Sequence, residues 1–243
     1  MALTREDVVR AAVELLDEQG LDGVTLRALG DRLGVAAPTL YWHVRNKQHL
    51  LDLVAEAIVR AGISESRTEP APGEPWWDWV AERAKAVRGA ILLHRDGARV
   101  LAGNRPTPES AAHIDRLLSV LVDAGLSPAE ALRFWLALGA YISGDALETQ
   151  SDSAREPVPE EQVTALRETF TSPDRPTLAA AMRGVGSDDE RFEEGLSLMI
   201  AGLRARVSAR ARGQGGGAGA QSGGANSNTS NVNGGETVQP TNT

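Results

Sequence analysis

The sequence predicts an all-α chain, with an N-terminal three-helix unit that carries a helix-turn-helix and a larger helical domain behind it. Three observations predict this. Apolar residues recur at three- and four-residue spacing through segment after segment. Residues 25–47, TLRALGDRLGVAAPTLYWHVRNK, read as two short helices around a glycine-containing turn. The chain has 243 residues, enough for one or two domains with a sizeable core.

Thr4 to Gln19 is expected to be an amphipathic helix, with Val8 or Val9, Ala12, Leu15 and Leu16 on one face and Gly20 as its stop. Leu21 to Val24 read as a turn. Thr25 is a suitable N-cap, because its hydroxyl can satisfy an orphan backbone N–H. Leu26, Leu29 and Leu33 follow at helical spacing, and Gly34 stands where a left-handed C-cap favours glycine. Val35 is placed to plug the turn. Pro38 fits the first turn of the next helix, from about Ala37 to His43. Asn46 is an N-cap for a helix over Lys47 to Ala61 with Leu50, Leu51, Val54 and Ile58 on one face.

Residues 64–75 form a polar, proline-rich linker. Trp76, Trp77 and Trp79 lie in a helix from about Glu74 to Leu93, and read as core and inter-domain packing rather than a ligand cage. A short helix is expected over Asp96 to Gly103 and another over Thr107 to Ala124. Ser127-Pro128 then starts a helix reaching about Gln150. Its stretch FWLALGAYI is apolar all round and is expected to be buried on every side. Weaker helices follow at Glu161 to Thr171 and Thr177 to Met182. The last begins at Ser187-Asp188-Asp189-Glu190, with acids in the turn that the helix dipole favours. Phe192, Leu196, Met199, Leu203 and Val207 form its stripe. Apolar helix faces beyond one domain's needs suggest a homodimer; a monomer with a larger core is the alternative. From Gly213 the chain is Gly, Ser, Asn, Thr and Gln and is expected to be a disordered tail.

Composition narrows the function. There is no cysteine, hence no disulfide framework and no Cys-based metal site. No run of eighteen apolar residues occurs, and no basic-then-apolar signal segment opens the chain, so a soluble cytoplasmic protein is expected, away from membranes. The net charge of −8 argues against a protein that coats nucleic acid, yet docking needs only one positive face. The acids Glu6, Asp7, Glu14, Asp17 and Glu18 sit in the first helix, whereas Arg27, Arg45 and Lys47 flank the second helix of the helix-turn-helix. Thr39, Tyr41, Trp42, His43 and Lys47 supply hydroxyls, an indole N–H, an imidazole and an ammonium within one short segment. Half or more of protein–DNA hydrogen bonds go to phosphate and sugar, work that suits these groups. A helical hairpin with surface aromatics is the plainer reading, but Tyr-Trp-His would be an odd solvent face.

Nothing indicates catalysis or a cofactor. His43, His49, His94 and His113 fall in no metal-ligand spacing, and no nucleophile elbow or phosphate loop is present. GQGGGAG at Gly213 follows no strand, and His94-Arg95-Asp96 is most simply a polar helix end. The chain is not expected to be an enzyme.

The stretch PTLYWHVRNK, with the leucines after Gln48-His49, resembles the tetracycline repressor (TetR) family of bacterial transcription regulators. The resemblance continues through RDGARVLAGNRP (Arg95 to Pro106) and SGDALETQ (Ser143 to Gln150). It implies a DNA-binding domain over residues 1–62, an effector-binding and dimerisation domain over 63–210, and the tail over 211–243. It implies a repressor that is released from a palindromic operator by a small molecule. The same fold acting as an activator or co-repressed regulator stays open, as does a small-molecule-binding helical protein with an idle DNA module.

The resemblance also implies roles for particular positions. Arg27 matches a guanine-reading arginine. Ala37 replaces a base-reading glutamine and offers only apolar contact to a thymine methyl, so a distinct operator is expected. Thr25, Pro38, Thr39, Tyr41, Trp42, His43 and Lys47 complete the expected DNA surface. Members of the family hold tetracycline as a magnesium chelate. Leu101 stands at the metal-ligating histidine and cannot bind Mg²⁺. Near Ile63 falls a second drug-binding histidine position, and Arg83 and Leu117 replace two amides. Arg105 and Glu148 are retained and are expected to line the pocket with Val87, Ile114, Leu117 and Trp135. The expected effector is a different, mostly apolar molecule bound without a metal.

Overall fold

In the computed structural model, residues 2–63 and 67–215 are described. The tail expected after Gly213 lies outside them from residue 216 on. Among the described residues the chain is helical throughout, with eleven α-helices. These are α1 Arg5–Gly23, α2 Leu26–Leu33, α3 Ala37–Leu40, α4 Lys47–Ile63, α5 Trp76–Leu93 and α6 Gly97–Leu101. A 3₁₀ turn at Pro108–Ser110 leads into α7 Ala111–Asp123. The rest are α8 Pro128–Ser153, α9 Glu160–Phe170, α10 Pro176–Arg183 and α11 Asp188–Gly215. None of the described helices is long and apolar enough to cross a membrane.

The start signals act as expected. Thr4 caps α1 in a reciprocal box with Asp7. Thr25 accepts the Ala28 N–H at 3.1 Å, and Asn46 accepts that of His49 at 2.8 Å. Gly34 ends α2 in the left-handed region at φ 66°. Gly20 kinks α1 rather than ending it: at φ 75° it breaks the helix, and one more turn follows through Gly23. The helix α3 is shorter than expected. After Leu40 the N–H groups of Tyr41, Trp42 and His43 bond three residues back, so the chain tightens into a turn there.

One apolar core runs through both parts of the chain. Val8, Ala12, Leu15 and Leu16 of α1 pack with Leu29, Leu40 and Val44, and α4 adds Leu50, Val54 and Ile58. The core continues through Trp79, Val80 and Ile91 of α5 into Leu138 of α8 and Phe192 and Leu196 of α11. The link is the crossing of α4 over α5. A Cβ added at Gly62 would lie 2.4 Å from the Ala90 Cβ and 2.7 Å from the Ala86 carbonyl oxygen. The two backbones therefore meet where only glycine fits.

Arg88 of α5 ties the second part together. It is buried, pairs with Asp145 of α8 and Asp189 of α11, and lies 4.7 Å over the Phe192 ring. At the far end, Arg210 of α11 forks onto Glu130 of α8 at 2.6 and 2.9 Å. The Ser127 hydroxyl and N–H, and then Arg210, hold the Glu130 carboxyl at about 2.

The expectation that α8 is buried on every side is corrected. Ala131, Leu138, Ile142 and Ala146 are buried, but Leu132, Leu136 and Leu147 are exposed, Leu136 at 64%. The single chain covers one face of α8 with α5, α6, α7 and α11 and leaves Leu132, Leu136 and Leu147 uncovered. The apolar periodicity could not show which of its faces this chain would cover.

Two predictions follow from this packing. Gly62→Ala gains up to about 1 kcal/mol of helix propensity but forces the two backbones apart, and a net loss of about 1–2 kcal/mol is expected in urea unfolding. Gly89→Ala, on the same α5 with nothing within 4 Å of its added Cβ, should stabilise instead. The second concerns acid. The folded Glu130 carboxyl lies below its ordinary value of 4.5, so its contribution is complete above that value and is lost as pH falls toward 2. The difference in unfolding midpoint between the parent and Glu130→Gln should therefore shrink steadily from pH 5 to pH 2.

Candidate functional site

Two regions carry groups that the core does not use. The first is the helix-turn-helix surface. Gly30 lets α2 approach the turn, since a Cβ there would meet the Val35 carbonyl oxygen at 2.8 Å, and the Val35 N–H closes back on Gly30 O at 3.0 Å. Arg32 of α2 pairs with Glu14 and Glu18 of α1, which neutralises acids of the first helix and fixes α2 against it. Leu40 and Val44 anchor α3 from beneath. On the outside lie Thr25, Arg27, Pro38, Thr39, Tyr41, Trp42, Arg45 and Lys47, all exposed, with Ala37 and His43 half-buried beside them. Trp42 is 87% exposed and Tyr41 57%. Rings this bare, flanked by cations, mark a surface built for a partner.

The second region is a cavity of about 660 Å³ in the helical domain, within the size range of small-molecule sites. It is bordered by α4, α5, α6, α7 and α8 and opens to solvent. Of the residues anticipated from sequence, Arg83, Val87, Leu101, Ile114, Leu117 and Trp135 line it, as does Ile63. Trp135 is fixed by its indole N–H donating to Leu117 O at 3.0 Å and by edge contact with Trp79.

Arg105 and Glu148 are the corrections here: neither lines the cavity. Both side chains are exposed. Arg105 sits in the loop after α6, where its backbone N–H donates to Asp52 at 3.3 Å. Glu148 lies next to Leu147 at the exposed part of α8. Helical phase decides this: Leu138 and Ile142 turn into the cavity wall, and Glu148, six residues beyond Ile142, is turned elsewhere.

Of the polar end of the cavity, only Arg83 of α5 was anticipated from the sequence; Arg60 of α4 and His113 and Arg116 of α7, which also border it, were missed. Arg83 is only 4% exposed, packs on the Trp79 ring and donates from Nη2 to His113 Nε2 at 2.8 Å. Burial first, then the charges of Arg83, Arg116 and Arg60, hold His113 below the ordinary imidazole range. His113 is therefore neutral, with its proton on Nδ1, since a guanidinium has no lone pair to accept with. The i, i+3 spacing of His113 and Arg116 was the available signal, but it meant nothing before α4 and α5 were known to face them.

The cavity residues are also wired to the N-terminal part. Glu56 of α4 accepts the Thr107 N–H at 2.7 Å and hydroxyl at 2.8 Å. Glu109 pairs with Arg5 of α1 at 3.0 Å. The segment read as a polar helix end is a further bridge: His94 and the Arg95 N–H meet Asp17, and Asp96 accepts the Leu21 N–H at 2.9 Å. The backbone N–H of Leu21 first, against some burial, and then Arg99 keep the Asp96 carboxyl below its ordinary range.

A tetracycline–magnesium chelate does not fit this lining. Leu101 offers no donor. Nε2 of the one lining imidazole, His113, is taken by Arg83, and the surrounding arginines repel a cation. Glu56 and Glu109 are engaged by Thr107 and Arg5. Among the described residues no group of three His, Cys, Asp or Glu could hold a metal ion.

Comparison with known proteins gives the following. Residues 8–54 match the family described as bacterial regulatory proteins, tetR family. Residues 69–207 match the tetracyclin repressor-like C-terminal domain. The chain is 40% identical over 204 residues to the class C tetracycline repressor protein of Escherichia coli, covering 83% of this chain and 90% of that one. Its fold is similar to that of the Streptomyces coelicolor TetR family protein ActR in complex with actinorhodin, with TM-score 0.72 and 30% identity over 85% of this chain and 99% of the other. It is likewise similar to TetR (class A) in complex with 5a,6-anhydrotetracycline and magnesium, with TM-score 0.60 and 32% identity over 83% and 98% of the two chains.

The exposed surface yields a prediction of its own. Lys47→Ala should weaken binding to duplex DNA of any sequence by a similar factor and reduce the slope of log affinity against log salt by about one. Arg27→Ala should instead weaken binding most on the preferred sequence. Fluorescence anisotropy on specific and scrambled duplexes at two salt concentrations separates the two.

Proposed function

The chain belongs to the tetracycline repressor family of bacterial transcription regulators, and we propose that within it the effector is a mostly apolar molecule bound without a metal ion. The protein is a ligand-responsive, DNA-binding transcriptional repressor that works as a homodimer on operator DNA. Leu136 of α8 and Leu198 of α11, 64% and 66% exposed in the single chain, give the dimer apolar surface to cover. A two-fold dimer matches an operator with two half-sites one helical turn or a multiple apart.

We assign DNA reading to residues 1–62 and effector binding and dimerisation to 63–210. Arg27 and Ala37 read bases, and Thr25, Pro38, Thr39, Tyr41, Trp42, His43 and Lys47 hold the backbone and the register. The protein acts in the cytoplasm and has no catalytic role. One relative binds actinorhodin and another anhydrotetracycline with magnesium, judging by the complexes in which they were solved. The observation that carries the metal-free reading is the lining: Leu101, Leu117, Trp135, Leu138 and Ile142 give a flat apolar body its contacts, and no donor set for a cation is present among the described residues.

Release follows from linkage. An effector shifts the protein only by as much as it prefers one arrangement of the reading helices. In this chain the cavity wall includes Glu56, Arg60 and Ile63 of α4, whose first turn begins at Lys47 on the DNA surface. A ligand that moves α4 relative to α5, or loosens Thr107 from Glu56, alters the spacing of the two reading helices in the dimer.

Selection from random duplexes should recover a palindrome that differs from the tetracycline operator and binds with a steep salt slope. Calorimetry with tetracycline should show no magnesium-dependent tight binding. Tight binding that requires Mg²⁺ would refute the metal-free effector.

A further inference from the structure

The cavity has an apolar body and one strongly cationic end. At that end three guanidinium groups, from Arg60, Arg83 and Arg116, surround His113. They come from three different helices, so the cluster is a product of the fold and not a basic run in the sequence. Among the described residues, the two carboxylates that share the lining are directed to other partners, Glu56 to Thr107 and Glu109 to Arg5. Arg83 donates to Nε2 of His113, which leaves Nδ1–H as the imidazole's remaining donor. Arg60 and Arg116 are exposed at the rim, where their side chains are free to swing onto an entering group. Such a site concentrates donors and positive charge, and among the described residues its two lining carboxylates are already engaged. It favours an oxygen anion and disfavours a cation.

We infer that the effector is an organic anion: a flat apolar body bearing a carboxylate or an acidic enol or phenol oxygen, bound at Arg60, Arg116 and His113 with Arg83 holding the imidazole in place. The inference rests on the reading that this cavity is the effector site. The headgroup is seated against α4 and α7 at once. Binding therefore pulls on α4, the helix shared with the DNA-reading unit.

The test uses two fluorescent probes with one skeleton, anilinonaphthalene sulfonate and its uncharged counterpart N-phenylnaphthylamine. Each is titrated into the full chain, and binding is read by energy transfer from the tryptophans, with Trp135 in the cavity wall. Because Arg60 and Arg116 are exposed, the Arg60→Gln/Arg116→Gln variant should fold normally, which far-UV circular dichroism and the unfolding midpoint check. The anionic probe should bind roughly tenfold or more tightly than the neutral one, as one added charge-assisted contact of ordinary strength provides. In the double variant that preference should vanish, the affinity for the anionic probe falling to that for the neutral one. Equal affinities in the parent chain, or a preference that survives in the variant, would overturn the inference and leave the effector-site reading in place. A cavity that takes neither probe would overturn the effector-site reading, and this inference with it.

Discussion

Two helices can approach this closely only where a side chain is missing, and the crossing of α4 over α5 at Gly62 is such a place. With the Ala86 carbonyl and the Ala90 methyl pressed against it, Gly62 fixes the separation of the two backbones. One consequence is that α4 has no independent existence in either half of the protein. Its first turns bury Leu50, Leu53 and Val54 in the core of the DNA-reading unit, and its last turns supply Glu56, Val59, Arg60 and Ile63 to the cavity wall. Packed interiors shift between discrete arrangements rather than yielding continuously. A helix shared by two cores in this way is placed to couple a displacement in one to the other.

Polar contacts mark out where that displacement is permitted. The bonds that join the two halves outside the core are mostly charge-assisted and solvent-accessible: Arg5 with Glu109, Asp17 with His94 and Arg95, and Asp96 with the Leu21 N–H. Exposed pairs of this kind contribute little to stability, so they specify an arrangement without locking it. Inside the helical domain the situation differs. Arg88 is buried among Asp145, Asp189 and Phe192 and joins three helices at once. Breaking such a buried group would leave an uncompensated charge, so α5, α8 and α11 hold together.

Much of the fold was legible from local chemistry. Thr4, Thr25, Asn46, Ser127 and Gly34 act as caps because capping depends on a side chain and the backbone within three residues of it. That Tyr41, Trp42 and Lys47 lie within seven residues of one another made their shared exposure legible for a similar reason. The cavity was half legible. Leu101, Leu117 and Trp135 line it as the resemblance implied, but Arg105 and Glu148, retained as residue types, do not. Identity of a residue does not fix its phase on a helix relative to a cavity. The face of α8 that lies open in the single chain was not legible either, because an apolar run names a helix to be buried without naming what buries it.

The amino-acid sequence by itself determined the helices, their caps and the helix-turn-helix. All of these depend on residue type within a few positions along the chain. Only the tertiary structure decided that Arg60, Arg83, His113 and Arg116 share one end of a cavity, and that Gly62 sits where α4 meets α5. These residues come from three helices separated by tens of positions, and their charges and volumes act through space. Their effect on a ligand depends on distances that no local pattern encodes.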